Sequence, residues 1–179
     1  MNTKRILALA LSVVITLGFL SGCGAKEAPK PAETTKPKVD AVTTASIVDN
    51  QEAFLKATSK NGTWIIAILK DLTIDKDVVL EGEFKNKDVL ARKIALYTQD
   101  DKRNVTNRFT LKAPKLIVKS ENASIQHGTF EGDVYVQAKG FSLVDNKVTG
   151  NIYFDSEEFK STFKMDDKSS VSGVKEVKK

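Results

Sequence analysis

Cysteine and histidine occur once each in this chain of 179 residues, as Cys23 and His127. A lone cysteine excludes an intrachain disulfide, so packing and hydrogen bonds must carry stability. The same scarcity excludes a Cys/His zinc cluster and leaves no second thiol for redox work. Neither a Gly-x-Ser-x-Gly elbow nor a phosphate-cradling glycine loop is present. Asp71, Asp75 and Asp77 lack the glycine and the closing glutamate of an EF-hand loop. His127, in Gln-His-Gly, reads as a solvent-facing turn residue, and Asp155, Glu157 and Glu158 read as an exposed acidic loop. No catalytic residue, metal or cofactor is expected. Of four prolines, Pro29, Pro31 and Pro37 crowd into one short tract, which leaves the rest of the chain almost free of the residue that sheets tolerate least.

What is present begins with a leader. Lys4 and Arg5 precede an apolar run over residues 6–20, broken only by Ser12, Thr16 and Gly18. That is the charged and hydrophobic order of a secretory signal. The run is 15 residues long, whereas a transmembrane helix needs about 20, so an uncut anchor is the poorer reading. Leu20-Ser21-Gly22-Cys23 resembles the lipobox of bacterial secreted lipoproteins. The resemblance implies a signal peptide over residues 1–22 and a Cys23 that is acylated on sulfur and heads the mature chain. A lipid-anchored protein on the extracytoplasmic side of the cell membrane is the expectation. Each buried acyl CH₂ contributes about 0.8 kcal/mol, and two acyl chains hold far better than one.

Residues 23–45 then form the anchor and a tether rich in Pro, Lys, Glu and Thr, too polar to offset the entropy of ordering. A capping helix is expected over residues 46–62. Asp49 serves as N-cap with Glu52 three residues on, Phe54 and Leu55 plug the domain behind it, and Asn61-Gly62 supplies a left-handed stop. Residues 63–179 complete the domain.

From Trp64 on, short β-branched or aromatic strokes alternate between turn residues, and no second helix stands out, although residues 86–97 leave room for a turn or two. An internal repeat is the decisive feature. Leu116, Val134 and Ile152 recur at intervals of 18, as do Gly132 with Gly150, Phe130 with Val148, Ile125 with Leu143, and Phe141 with Phe159. Gly173 follows Gly150 by 23, which marks an insertion in the last unit. A fixed interval predicts a mainly β fold: a parallel β-helix, or β-solenoid, of about six short coils with one N-terminal capping helix. A β-sandwich or barrel is the alternative. The units Gly-Asp-Val-Tyr-Val and Gly-Asn-Ile-Tyr-Phe resemble the repeats of bactofilins, the polymer-forming cytoskeletal proteins of bacteria. That resemblance implies a right-handed β-helix, end-to-end self-association and no enzymatic activity.

Charge alternates in sign along the chain. Residues 85–119 carry ten bases against three acids, and residues 120–167 nine acids against four bases. Without Lys4 and Arg5 the chain's net charge of +5 falls to +3, too mild for a dedicated nucleic-acid binder. The band reads either as solvated faces or as a surface for an anionic envelope polymer or a protein partner, with Lys93, Lys102, Arg103, Arg108, Lys112 and Lys115 in contact. Exported β-helices include polysaccharide lyases and hydrolases. Such sites need carboxylates stacked across coils, but at this interval Asp133 meets Asn151 and Asp155 meets Gln137. The expected function is therefore a non-catalytic binding or scaffolding module on a membrane-bound tether. The alternative is a self-assembling structural solenoid.

Overall fold

The computed structural model describes residues 45–178. The leader, Cys23, the tether up to residue 44 and Lys179 lie outside the described residues. The chain begins with strand β1 (Ala45–Val48) and helix α1 (Gln51–Thr58), then runs through β2 (Ile65–Ile68), β3 (Leu72–Thr73) and β4 (Val78–Leu80). A small antiparallel hairpin follows, β5 (Lys85–Asn86) and β6 (Val89–Leu90). Next, β7 (Arg92–Ala95) leads into a second hairpin, β8 (Tyr97–Gln99) and β9 (Val105–Arg108), and then into the long β10 (Thr110–Val118). Tight turns connect β11 (Ala123–Gln126), β12 (Thr129–Val136), β13 (Ser142–Val144), β14 (Lys147–Val148) and β15 (Ile152–Phe154). Helix α2 (Glu157–Ser161) precedes β16 (Lys164–Met165), β17 (Ser170–Val171) and β18 (Lys175–Val177).

The fold is mainly β, and its two main sheets are parallel throughout. The first sheet has the order β1-β2-β7-β11-β13-β16, so the chain passes through it six times. The second is built on β10 and β12, with β3 and β4 on one side and β14, β15, β17 and β18 on the other. Leu116 pairs with Val134 and Val134 with Ile152, and all three side chains are fully buried. A matching column in the first sheet runs Ile66, Ile94, Ile125, Leu143 and Met165. The core lies between these columns, where each buried Ile, Leu or Phe contributes roughly 1.5–3 kcal/mol.

Residues stack at 18 from the second half of β10, Lys115 to Val118, as far as β15, but not before. Ile66 to Ile94 spans 28 residues and Ile94 to Ile125 spans 31. Each excess is a hairpin let out at a corner, β5–β6 in the first case and β8–β9 in the second. Residues 86–97 hold strands, not a helical turn. The sheet also starts earlier than expected: Ala45, placed in the tether by composition, pairs with Ile65 in β1, ahead of the helix.

The glycines at one corner explain their own spacing. Gly132 has a φ of +142°, and a Cβ there would collide with the carbonyl of Ala113 on the preceding pass. At Gly150 a Cβ would meet the carbonyl of Gly132, and at Gly173 the Gly150 carbonyl and the Asn151 amide. Successive passes approach too closely here for any side chain. The remaining proline, Pro114, sits where β10 carries an extra residue opposite Gly132, a bulge that frees it from the ladder.

Three helix expectations need correction. The N-cap of α1 is Asn50, whose side chain accepts from the Ala53 amide at 2.9 Å, while Asp49 accepts from the Asn50 amide group. Capping one residue later turns Phe54, Ala57 and Thr58 inward, with Leu55 partly buried behind them. The helix stops at Thr58, after about two turns, and neither Asn61 nor Gly62 is left-handed. Its end is closed instead by Arg92, which donates to the carbonyls of Ala57, Ser59 and Glu81 and stacks on Phe84. Finally, α2 is the insertion signalled by Gly173. It shifts the register so that Phe141 stacks on Phe163 at 5.8 Å, not on Phe159.

Gly150→Ala should destabilise the chain by about 2–4 kcal/mol in urea unfolding. An unchanged midpoint would contradict the close stacking. Arg92→Met should cost roughly 3 kcal/mol, because three carbonyls lose their donor inside the fold; the same titration checks it.

Candidate functional site

The six basic residues singled out in the sequence do not form one surface. Lys93 stands on β7 in the first sheet, with its ammonium 5.8 Å from the Trp64 ring and 5.9 Å from the Tyr97 ring. Burial pulls its pKa down. Lys112 and Lys115 stand on β10 in the second sheet, paired with Glu131 at 3.9 Å and with Asp77 at 3.5 Å. Lys102, Arg103 and Arg108 share the β8–β9 hairpin. Arg92, counted with the band by sequence, is 1% exposed, and burial lowers its pKa to about 10 against the opposing pull of Glu81.

The hairpin is fastened at both ends. At its tip, Asp100 accepts from the backbone amides of Lys102 and Asn104 and from the Asn104 side chain, all within 2.9 Å. Those bonds, the Asn104 side chain first, hold its carboxyl below the usual range. The closed loop puts Arg103 at a φ of +67°, and both Lys102 and Arg103 are exposed. Neither makes an ion pair among the described residues.

At the root, Arg108 Nη2 reaches Asp145 Oδ2 at 2.5 Å, and His127 Nδ1 reaches the same oxygen at 3.0 Å. Tyr97 packs edge-on against His127, with centroids 4.3 Å apart, and burial raises its phenol pKa. The Asp145 amide in turn donates to both oxygens of Asp166 on the next pass. Asp145 is held below the usual carboxylate range by Arg108 first, with burial opposing and His127 assisting. The hairpin is thus bolted to the two passes that follow it. His127 occupies a left-handed corner as expected of a turn, but its side chain is only 19% exposed and is committed to Asp145. An imidazole oriented by a carboxylate is the arrangement of a general base, yet here Arg108 shares that carboxylate and, among the described residues, no hydroxyl is bonded to the ring.

The acidic residues fall apart in space. Asp71 accepts from the Thr110 amide, Asp75 donates its amide to Gln51, and Asp77 holds Lys115. Glu157 and Glu158 form the first turn of α2, so that stretch is helical and not a loop, and Glu158 pairs with Lys139 at 2.7 Å. Among the described residues no cluster of acids and histidine is arranged to hold a metal ion.

A second, half-buried surface feature escaped the sequence reading. On the outer face of the second sheet, Val79, Ile117, Tyr135 and Tyr153 occupy one register column. The two tyrosine rings lie 5.2 Å apart, tilted by 39°. Beside them, Asp133 accepts from the Asn151 backbone and side chain, and Gln137 donates to Asp155 at 2.8 Å. Burial, then the charge of Asp133, raises the Tyr153 pKa. The signal was available: each tyrosine directly follows an inward residue of the repeat and must therefore point out.

Comparison with family models, with curated proteins and with solved structures found no significant match.

The Asp145 carboxylate stabilises the fold above its unfolded pKa of ~3.9, and that contribution is lost as pH falls through its lower folded value. Asp145→Asn should therefore lower the thermal midpoint at pH 7, and the gap from the parent should close well below pH ~4. A gap that persists in acid would show that the clamp works by shape alone.

Proposed function

We propose that this chain is a cell-envelope lipoprotein, held at the membrane through Cys23, whose domain is a right-handed β-helix of six coils acting as a non-catalytic binding module. The Leu-Ser-Gly-Cys tract supports the anchor, and the six passes of the first sheet support the coil count. Right-handedness follows the strong general preference of parallel crossovers. In this reading α1 caps the first coil.

The observation that carries the binding role is the β8–β9 hairpin. Its Lys102 and Arg103 are exposed and free of acidic partners, while Asp100 at the tip and Asp145 at the root fix its shape. A loop that presents two cations, Lys102 and Arg103, in an already ordered shape loses little entropy on meeting an anionic partner. The partner class is an anionic envelope polymer, drawn in by charge and released by salt.

What favours a module over end-to-end assembly is the state of the two ends. Phe54 of α1 is fully buried against the first coil. At the other end Lys175 occupies the position that continues the buried Ile152 column, and its ammonium reaches Met165 Sδ at 3.7 Å in an exposed contact. A charge at an inward edge position discourages further pairing.

Co-sedimentation with a polyol-phosphate polymer at low and high salt tests the role. The parent should bind at low salt and release at high salt, and the Lys102→Glu, Arg103→Glu double variant should not bind. Arg108 is the wrong residue to reverse, because its loss would also open the clamp. Retained binding by the double variant would remove the hairpin from the function.

A further inference from the structure

Of the six basic residues singled out in the sequence, three are answered by acids: Arg108 by Asp145, Lys112 by Glu131 and Lys115 by Asp77. The others are Lys102 and Arg103 at the tip of the β8–β9 hairpin, and Lys93 at its root. Lys93 stands on β7, and its ammonium lies 5.9 Å from the ring of Tyr97, the first residue of the hairpin. The cations left without an acid thus mark the two ends of one element.

Lys93 differs from the tip residues in its surroundings. An exposed cation needs no partner, because water solvates it. Lys93 is half-buried, and burial pulls its pKa down with no neighbouring charge opposing or assisting. Its ammonium makes no ion pair and no hydrogen bond among the described residues. Its register partners are Ile65 on the preceding pass and Ser124 on the following one. The next outward column holds Ala67, Ala95 and Gln126, so no acid stands at any of these positions. Gln126 spends one amide hydrogen on the Ser124 hydroxyl at 3.1 Å and keeps the other. A cation partly removed from water and left without an acid favours an anion that can reach it.

The separation of the two ends sets the size of the occupant. From Tyr97 to Lys102 the strand covers about 15 Å at roughly 3.3 Å per residue. A lone phosphate or carboxylate cannot touch both ends, whereas a polymer with repeated anionic groups can. We propose that Lys93 is a second contact for the anionic polymer held by the hairpin tip, so that one polymer chain runs along the hairpin from Lys102 and Arg103 to Lys93. This rests on the hairpin reading and adds to it an occupant long enough to span the element. Tyr97, packed against His127 at the clamped root, holds the second contact in place relative to the first. Two contacts on one chain bind more tightly than either alone when the chain spans them.

Trp64 is the only tryptophan of the chain and its ring lies 5.8 Å from the Lys93 ammonium, so its fluorescence reports on an anion arriving there. The full chain is titrated at low salt with a polyol-phosphate polymer and, separately, with glycerol phosphate. The polymer should change the Trp64 emission and bind about tenfold more tightly per phosphate than the monomer. Lys93→Gln should weaken polymer binding about tenfold. Lys93→Arg, which keeps the charge, should retain most of it, and circular dichroism of both variants guards against loss of fold. Equal polymer affinity of Lys93→Gln and the parent overturns the inference. So does a Trp64 emission that stays unchanged in the parent at saturating polymer, or a monomer that binds as well per phosphate as the polymer. If the Lys102→Glu, Arg103→Glu variant loses the polymer while Lys93→Gln keeps it, the hairpin reading stands and this inference falls. If Lys93→Gln loses it while the tip variant keeps it, the hairpin reading falls and the two-ended site with it.

Discussion

Each strand of the two main sheets is hydrogen-bonded only to the pass before and the pass after it, so the domain exists only while like residues fall on like. An inward side chain shifted by one position would turn outward and take its neighbours with it. The tightest form of this constraint is at the Gly132–Gly150–Gly173 corner, where backbone meets backbone. Side-chain columns can adapt to a changed neighbour by choosing another rotamer, but that corner has no such freedom. It sets the distance between passes, and the aliphatic columns fill the width that remains.

Because stacking binds only what lies within the sheets, the corners are free to vary. Two antiparallel hairpins and a short helix are let out at corners, and the passes on either side still meet in register. The surface features divide along the same line. The hairpin tip is an inserted element, shaped by local bonds around Asp100 and fixed to the body by one shared carboxylate. The tyrosine strip belongs to the scaffold itself, a by-product of outward positions that repeat.

Much of the architecture was legible wherever the repeat was undisturbed. Leu116, Val134 and Ile152 could be placed in one column from spacing alone, as could the pairings of Asp133 with Asn151 and of Gln137 with Asp155. Spacing failed where chain was inserted. Phe141 was matched to Phe159 because α2 cannot be seen by counting, and the early passes looked irregular because two hairpins dilute their period. Charge was read least well. A run of bases in sequence ignores which face each side chain takes, so Arg92, an interior cap for α1, was counted with Lys102 at an exposed tip. The role of Asp145 was invisible for a related reason: its partners His127 and Arg108 come from the two preceding passes, and only the fold brings them together.

The point where the chain enters the domain has a mechanical side. Residue 45 leads straight into β1, the outermost strand of the first sheet, whose pairing with β2 covers four residues. Tension arriving from the direction of the leader would load those few bonds one after another, while the later passes felt none of it. Such a body gives way from its entry end, turn by turn, and the Arg108–Asp145–Asp166 bolt across later passes is a stop beyond which the unravelling would need a larger force.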